Sequence, residues 1–150
     1  MAIWQYGFHL LPQEELSNVG SLNLIPDEDG LWDFDKLWGD RKLPKGYEEF
    51  LDSRIRKCNS WHHDIKCWGD YSANIIEIVF ADRRIDDIHF RVDVSSLDFA
   101  FIESVVQFAQ LCDCRLLTQE HAVIDANLEG VVAAIKDRKR GLHKRPRSFT

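Results

Sequence analysis

Asn74-Ile-Ile-Glu-Ile-Val-Phe80 and Ile85-Asp-Asp-Ile-His-Phe-Arg-Val-Asp-Val94 stand on either side of a short polar break, Ala81-Asp-Arg-Arg84. In the first run Ile76, Ile78 and Phe80 share a face. In the second, Ile88, Phe90, Val92 and Val94 alternate with Asp87, His89, Arg91 and Asp93. A period of two in β-branched and aromatic residues is the mark of a strand, and the break has the length of a hairpin turn. The spacing predicts an antiparallel hairpin with one buried and one wetter face.

The pattern changes on the C-terminal side of the hairpin. Phe101, Ile102, Val105, Phe108, Ala109 and Cys112 recur at helical spacing and predict a core-facing helix over 97–112. Ser95 or Ser96 offers its N-cap, with Asp98 in the first turn. A strand or strand pair is expected at 115–124, through Leu116, Leu117, Val123 and Ile124. A last helix from near Asn127 would turn Leu128, Val131, Val132 and Ile135 inward. Its cationic end is Lys136 to Arg140, and Gly141 would close it.

Toward the N-terminus, residues 58–70 are rich in turn formers and show weak periodicity. Tyr47, Phe50, Leu51 and Ile55 predict a short helix over 46–57. Residues 12–45, with three prolines and three glycines, predict a long acidic loop holding a short helix. Trp4, Tyr6, Phe8 and Leu10 predict a first strand over 3–11. The order is that of an α+β fold: four to five mainly antiparallel strands with helices packed on one face. The ferredoxin-like split βαβ is the nearest motif. One domain covers 1–150, with a basic tail at 141–150.

The chain has 150 residues, 45% hydrophobic and 29% charged. A chain of this size buries roughly 68–70% of its unfolded surface and needs neither disulfide nor metal to hold a core. No apolar run approaches the ~20 residues of a membrane span, and the first residues lack the regions of a signal peptide. We therefore expect a cytoplasmic chain with its four cysteines reduced.

Cys58, His62, His63 and Cys67 are residues that zinc prefers. The C-x3-H-H-x3-C spacing is not that of a zinc hairpin, however, and adjacent histidines point apart in regular structure. Buried thiols and exposed imidazoles are the simpler account, so we expect no metal and no cofactor. Cys112-Asp-Cys114 is too close for a redox C-x-x-C. Asp87, His89, Arg91 and Asp93 would share the polar face of the hairpin. A solvated sheet face is the plain account of them. The alternative is a small enzyme or ligand-binding domain with a polar pocket around His89, Arg91 and Asp93. Phosphate-loop, dinucleotide, serine-hydrolase and metalloprotease motifs are absent from the sequence, and we expect a non-catalytic protein.

The net charge of −6 is unevenly spread. Of the 19 Lys/Arg and 25 Asp/Glu, seven and one fall in 131–150, which leaves twelve and twenty-four before Val131. Nucleic-acid binding draws most of its affinity from phosphate neutralisation and is disfavoured by such a body. A basic protein partner suits it. Asp27, Glu28, Asp29, Asp33 and Asp35 bracket Trp32, with Trp38 nearby. Tryptophan dominates interface hot spots, so these seven residues form the candidate partner-binding segment.

Ser60-Trp-His-His-Asp-Ile-Lys-Cys-Trp-Gly69, followed by Ile88-His-Phe-Arg-Val-Asp93, resembles a group of small bacterial proteins with an S-W-x-x-D-I-x-x-W-G run and an I-x-x-R-x-D strand. Residues 45–150 carry the likeness, with Pro146-Arg-Ser-Phe149 a weak match to a C-terminal S-x-x-F. The group is similar in size and acidity to immunity proteins of polymorphic toxin systems. The resemblance implies an immunity protein that neutralises a cognate, basic toxin, and it brings no catalytic residues. It also gives Trp61, Trp68, Arg91 and Asp93 a structural role and leaves Cys58, the histidines and Cys67 at variable positions.

Overall fold

The computed structural model describes residues 4–14 and 34–144, without the side chains of Asp35 and of residues 139–144. In chain order the elements are β1 (Gln5–Pro12), α1 (Phe34–Trp38), α2 (Tyr47–Asp52), β2 (Lys57–Cys58), β3 (Ile65–Gly69), β4 (Ile75–Ala81), β5 (Arg84–Asp93), α3 (Phe99–Leu111), β6 (Cys114–Thr118), β7 (Val123–Ile124) and α4 (Leu128–Lys144). The chain is α+β, as its patterning predicts. Among the described residues the sheet has seven strands rather than four or five, in the order β2-β3-β4-β5-β1-β6-β7, and every pairing is antiparallel.

The β4–β5 hairpin closes through Asp82 and Arg83, at φ 51 and 68. Positive φ at both central residues gives the turn a twist that matches the strands it joins. The strand register shifts between Val79 and Phe80, a bulge that adds local twist. On one face of the sheet Tyr6, Phe8, Leu10, Ile76, Ile78, Ile88, Phe90, Val92 and Leu116 are buried in a single core. There they join Phe101, Ile102, Val105 and Phe108 of α3 and Val131 and Ile135 of α4.

The opposite face is drier than the hairpin pattern suggests. Ile75 is fully buried and Glu77 is 5% exposed. Leu11 and Leu117 form a second small cluster with Leu37 of α1, against which Phe34 and Val123 pack. The prediction of helices on one face therefore fails for α1, which reaches both sides: Trp38, one position on, joins the main core.

Two helix boundaries also differ from expectation. Asp98, not Ser95 or Ser96, caps α3, accepting a hydrogen bond from the Phe101 amide at 3.1 Å. Ser95 is already engaged with its amide and hydroxyl on Asp93. Helix α4 runs through Gly141 to Lys144 instead of closing there. No helix among the described residues is long and apolar enough to cross a membrane.

Candidate functional site

One row of directly opposed residues crosses all seven strands: Cys58, Cys67, Glu77, His89, His9, Leu117 and Val123, from β2 to β7. Opposed residues in antiparallel strands present side chains to the same face, here the one turned away from α3. Thiols stand at one end of the row, apolar side chains at the other, and titratable groups in the middle.

Asp87 lies beside the middle of the row and accepts from both histidines. Its Oδ1 is 2.9 Å from His9 Nδ1, and its Oδ2 is 2.9 Å from His89 Nδ1. The other ring nitrogen of His89 faces Glu77 Oε1 at 2.9 Å. Tyr71 donates its hydroxyl to Glu77 Oε2 at 2.8 Å, and Arg91 Nη2 stands 3.7 Å from Glu77 Oε1. The His9 ring is stacked on Phe34, centroids 4.1 Å apart. Arg91 Nε is buried and has no hydrogen-bond partner among the described residues.

The electrostatics follow from these contacts. Burial alone would lower the His89 pKa, but its hydrogen bonds to Asp87 and then Glu77 prevail and lift it to about 9. Burial would raise Asp87, yet hydrogen bonds from His89 and His9 hold it at about 2. Glu77 is likewise held below its ordinary value, because the His89 and Tyr71 hydrogen bonds outweigh its burial. Both nitrogens of His89 thus face carboxylates, an arrangement that favours its protonated form. A general base works best with a pKa near the operating pH, and neither His89 nor Asp87 has one. What the cluster offers is a rigid, charge-paired set of nitrogen and oxygen donors.

An open cleft of about 350 Å³ lies over this cluster, lined by His9, Asp87, His89, Arg91, Gln119 and His121 among others. The alternative pocket around His89, Arg91 and Asp93 is thus present for the first two only. Asp93 turns its carboxylate to Ser95 and is not part of the cleft. The residues that complete the cluster, His9 and Glu77, come from β1 and β4.

The other expected sites fare differently. Asp27, Glu28, Asp29, Trp32 and Asp33 lie outside the described residues, as does the side chain of Asp35. Trp38 is 3% exposed and packed in the core, so its ring is not presented to a partner. Cys58 and Cys67 face each other across β2 and β3, whereas His62 and His63 stack on one another in the exposed turn and group with Asp64 instead. All four cysteines are free. Within the S-W-x-x-D-I-x-x-W-G run, Trp68 is fully buried with its indole donating to Asp52 at 2.7 Å. Trp61, by contrast, is 73% exposed.

No protein-family model, no curated protein and no solved structure matches the chain.

Proposed function

We propose that the chain is a non-catalytic protein-binding domain that neutralises a cognate, basic toxin in the bacterial cytoplasm, as immunity proteins do. The observation that carries this reading is the charge distribution: twelve Lys/Arg against twenty-four Asp/Glu before Val131. An acidic body attracts a basic partner over distance and repels nucleic acid. Trp61, exposed on the turn before β3, adds an aromatic anchor of the sort that dominates hot spots. The segment holding Asp27, Glu28, Asp29, Trp32, Asp33 and Asp35 supplies the steering charge. Trp38 is withdrawn from it because its ring is spent on the core. The central four strands read as a ferredoxin-like split βαβ: β5 lies antiparallel between β1 and β4, and β6 flanks β1.

The test is co-expression with the product of the gene directly upstream, since an immunity gene follows its toxin gene. Restored growth of the host and a stoichiometric complex of the two purified proteins are expected. Full toxicity in the presence of excess chain, for each neighbouring gene product, would remove the reading. A second reading, a ligand-binding domain, is favoured by the cleft of about 350 Å³ around His89 and Arg91. Concave sites with a few convergent polar groups are where small molecules bind.

A further inference from the structure

The row of opposed residues brings potential ligands from two adjacent strands to one point. We propose that His9, Asp87 and His89 form a binding site for one divalent transition-metal ion of the zinc or iron type. One ligand atom from each of the three lies within 4.8 Å of the others, and the Asp87 carboxylate already stands 2.9 Å from both Nδ1 atoms. Two imidazoles and a carboxylate are the donor set of open zinc and non-haem iron sites. Calcium and magnesium prefer oxygen alone.

A second observation is independent of the three ligands. In metal sites the ligating histidine donates its remaining ring N–H to a carboxylate, which is itself held by a further hydrogen bond. Here His89 turns its Nε2 to Glu77, and Tyr71 holds the other oxygen of Glu77. The His9 ring is fixed by its stack on Phe34. The three ligands stand on neighbouring strands of the sheet, β1 and β5, where positions are held more rigidly than on loops, and Glu77 supports His89 from the next strand, β4. The cleft above gives an ion a way in and leaves room for a fourth ligand.

Binding exchanges protons for the ion. At His89 the metal would take the place of the Nδ1 hydrogen that faces Asp87, and that proton would leave to solvent while Nε2 keeps its hydrogen toward Glu77. His9 would bind through Nδ1 as the neutral ring, with its hydrogen on Nε2. The other histidine group, His62 with His63 and Asp64, has no such support: its side chains are 45%, 83% and 50% exposed. The site stands apart from the partner-binding reading and holds or fails without it.

The experiment is calorimetric titration of the chelator-stripped full chain with zinc chloride, with calcium chloride as the hard-ion control. One saturable zinc site per chain is expected, and none for calcium. Glu77→Gln should weaken zinc binding 10–100-fold, and His9→Ala should weaken it further. A His62→Ala/His63→Ala double variant should bind zinc as the unaltered chain does. His9 stands at the rim, its side chain 34% exposed, so its variant remains informative should Asp87→Asn fail to fold. Cobalt(II) added to the unaltered chain should give the visible absorption of a nitrogen- and oxygen-ligated ion without any variant. Zinc uptake that is absent in the unaltered chain, or that survives His9→Ala and is lost in the double variant, overturns the proposal.

Discussion

His9 and His89 oppose each other in the register of β1 and β5, and both turn Nδ1 onto the single carboxylate of Asp87. An amide in place of the Asp87 carboxylate would accept from one imidazole but turn an N–H toward the other, with the ring centroids 5.6 Å apart. Breaking a buried pair by removing one partner costs about 3 kcal/mol or more. Asp87→Asn should therefore destabilise the chelator-treated protein by about that much in urea denaturation. Glu77→Gln keeps an acceptor for Tyr71 and should cost about 1–2 kcal/mol. Equal effects from the two would deny Asp87 its central place.

Gly69 occupies φ +115, and a Cβ there would stand 2.2 Å from the Asn74 carbonyl oxygen. Gly69→Ala combines backbone strain with a clash against main chain, neither of which a rotamer change relieves. A loss of about 3 kcal/mol or more is expected. Gly39 is also left-handed, at φ +52, but a Cβ there would meet the Lys36 carbonyl oxygen only at an ordinary contact distance of 3.9 Å. Gly39→Ala should cost only ~1 kcal/mol. Thermal melts of the two variants separate clash from conformation.

Asp98 caps α3, so Asp98→Ala should cost ~1 kcal/mol. Ser96→Ala should lie within about 0.5 kcal/mol of the unaltered chain. The reverse order in denaturant midpoints would restore the serine as the cap.

The tryptophans should divide by burial. Trp38→Ala opens a void in the core and should cost about 3–5 kcal/mol. Trp61→Ala touches little and should leave stability within about 0.5 kcal/mol. With a cognate partner in hand, Trp61→Ala should speed dissociation by ~30-fold, the equivalent of ~2 kcal/mol. Neutralising Asp27, Glu28 and Asp29 together should slow association and flatten its salt dependence. Kinetics by surface plasmon resonance distinguish the two.

Burial raises the thiols of Cys112 and Cys58 to about 12, and raises Cys114 further still. At pH 8 a thiol of pKa ~12 is thiolate about a thousandfold less often than an ordinary one of ~8.5. Native protein should alkylate slowly, with four thiols appearing on denaturation. The same shifts set a sign for stability. Cys112 and Cys114 lose protons on unfolding above pH ~8.5, so the unfolded state binds fewer protons there than the native one. Their contribution is complete below that pH and declines as pH rises toward the folded values. Denaturant midpoints should fall between pH 8.5 and 10.5, and Cys112→Ser/Cys114→Ser should reduce the slope.

The hairpin and α3 were legible because apolar and polar residues alternate along β5 and apolar residues recur at helical spacing along α3, although the second face of β4 is covered as well. Strand β3 was not. Ile65, Cys67 and Trp68 are all buried, so both faces of Ile65–Gly69 carry packing residues and no alternation remains. The two-residue strands β2 and β7 are too short to show a period, although the pairing of Val123 and Ile124 with β6 fits the expected strand pair at 115–124. The cluster was half legible. Asp87 and His89 sit on one strand, two residues apart, and their shared face follows from the alternation. His9 and Glu77 join them only through the order of β4, β5 and β1, which no local pattern encodes. Cys58, His62, His63 and Cys67 lie close in one segment, but the fold divides them into a pair of cysteines opposed across β2 and β3 and a pair of histidines stacked in the turn.

Among the described residues the outermost strands, β2 and β7, are each two residues long. A sheet grows by templating: an unpaired edge captures a strand from another molecule, and each added residue offers a further backbone group. Five interior strands, with isoleucine concentrated in β4 and β5 and paired leucines in β1 and β6, would make a dangerous template if either edge ran the length of β5. Edges of two residues offer too few groups to recruit a neighbour. Brevity at the margins thus guards the chain against aggregation, and lengthening β7 with apolar residues would remove that protection before it disturbed the core.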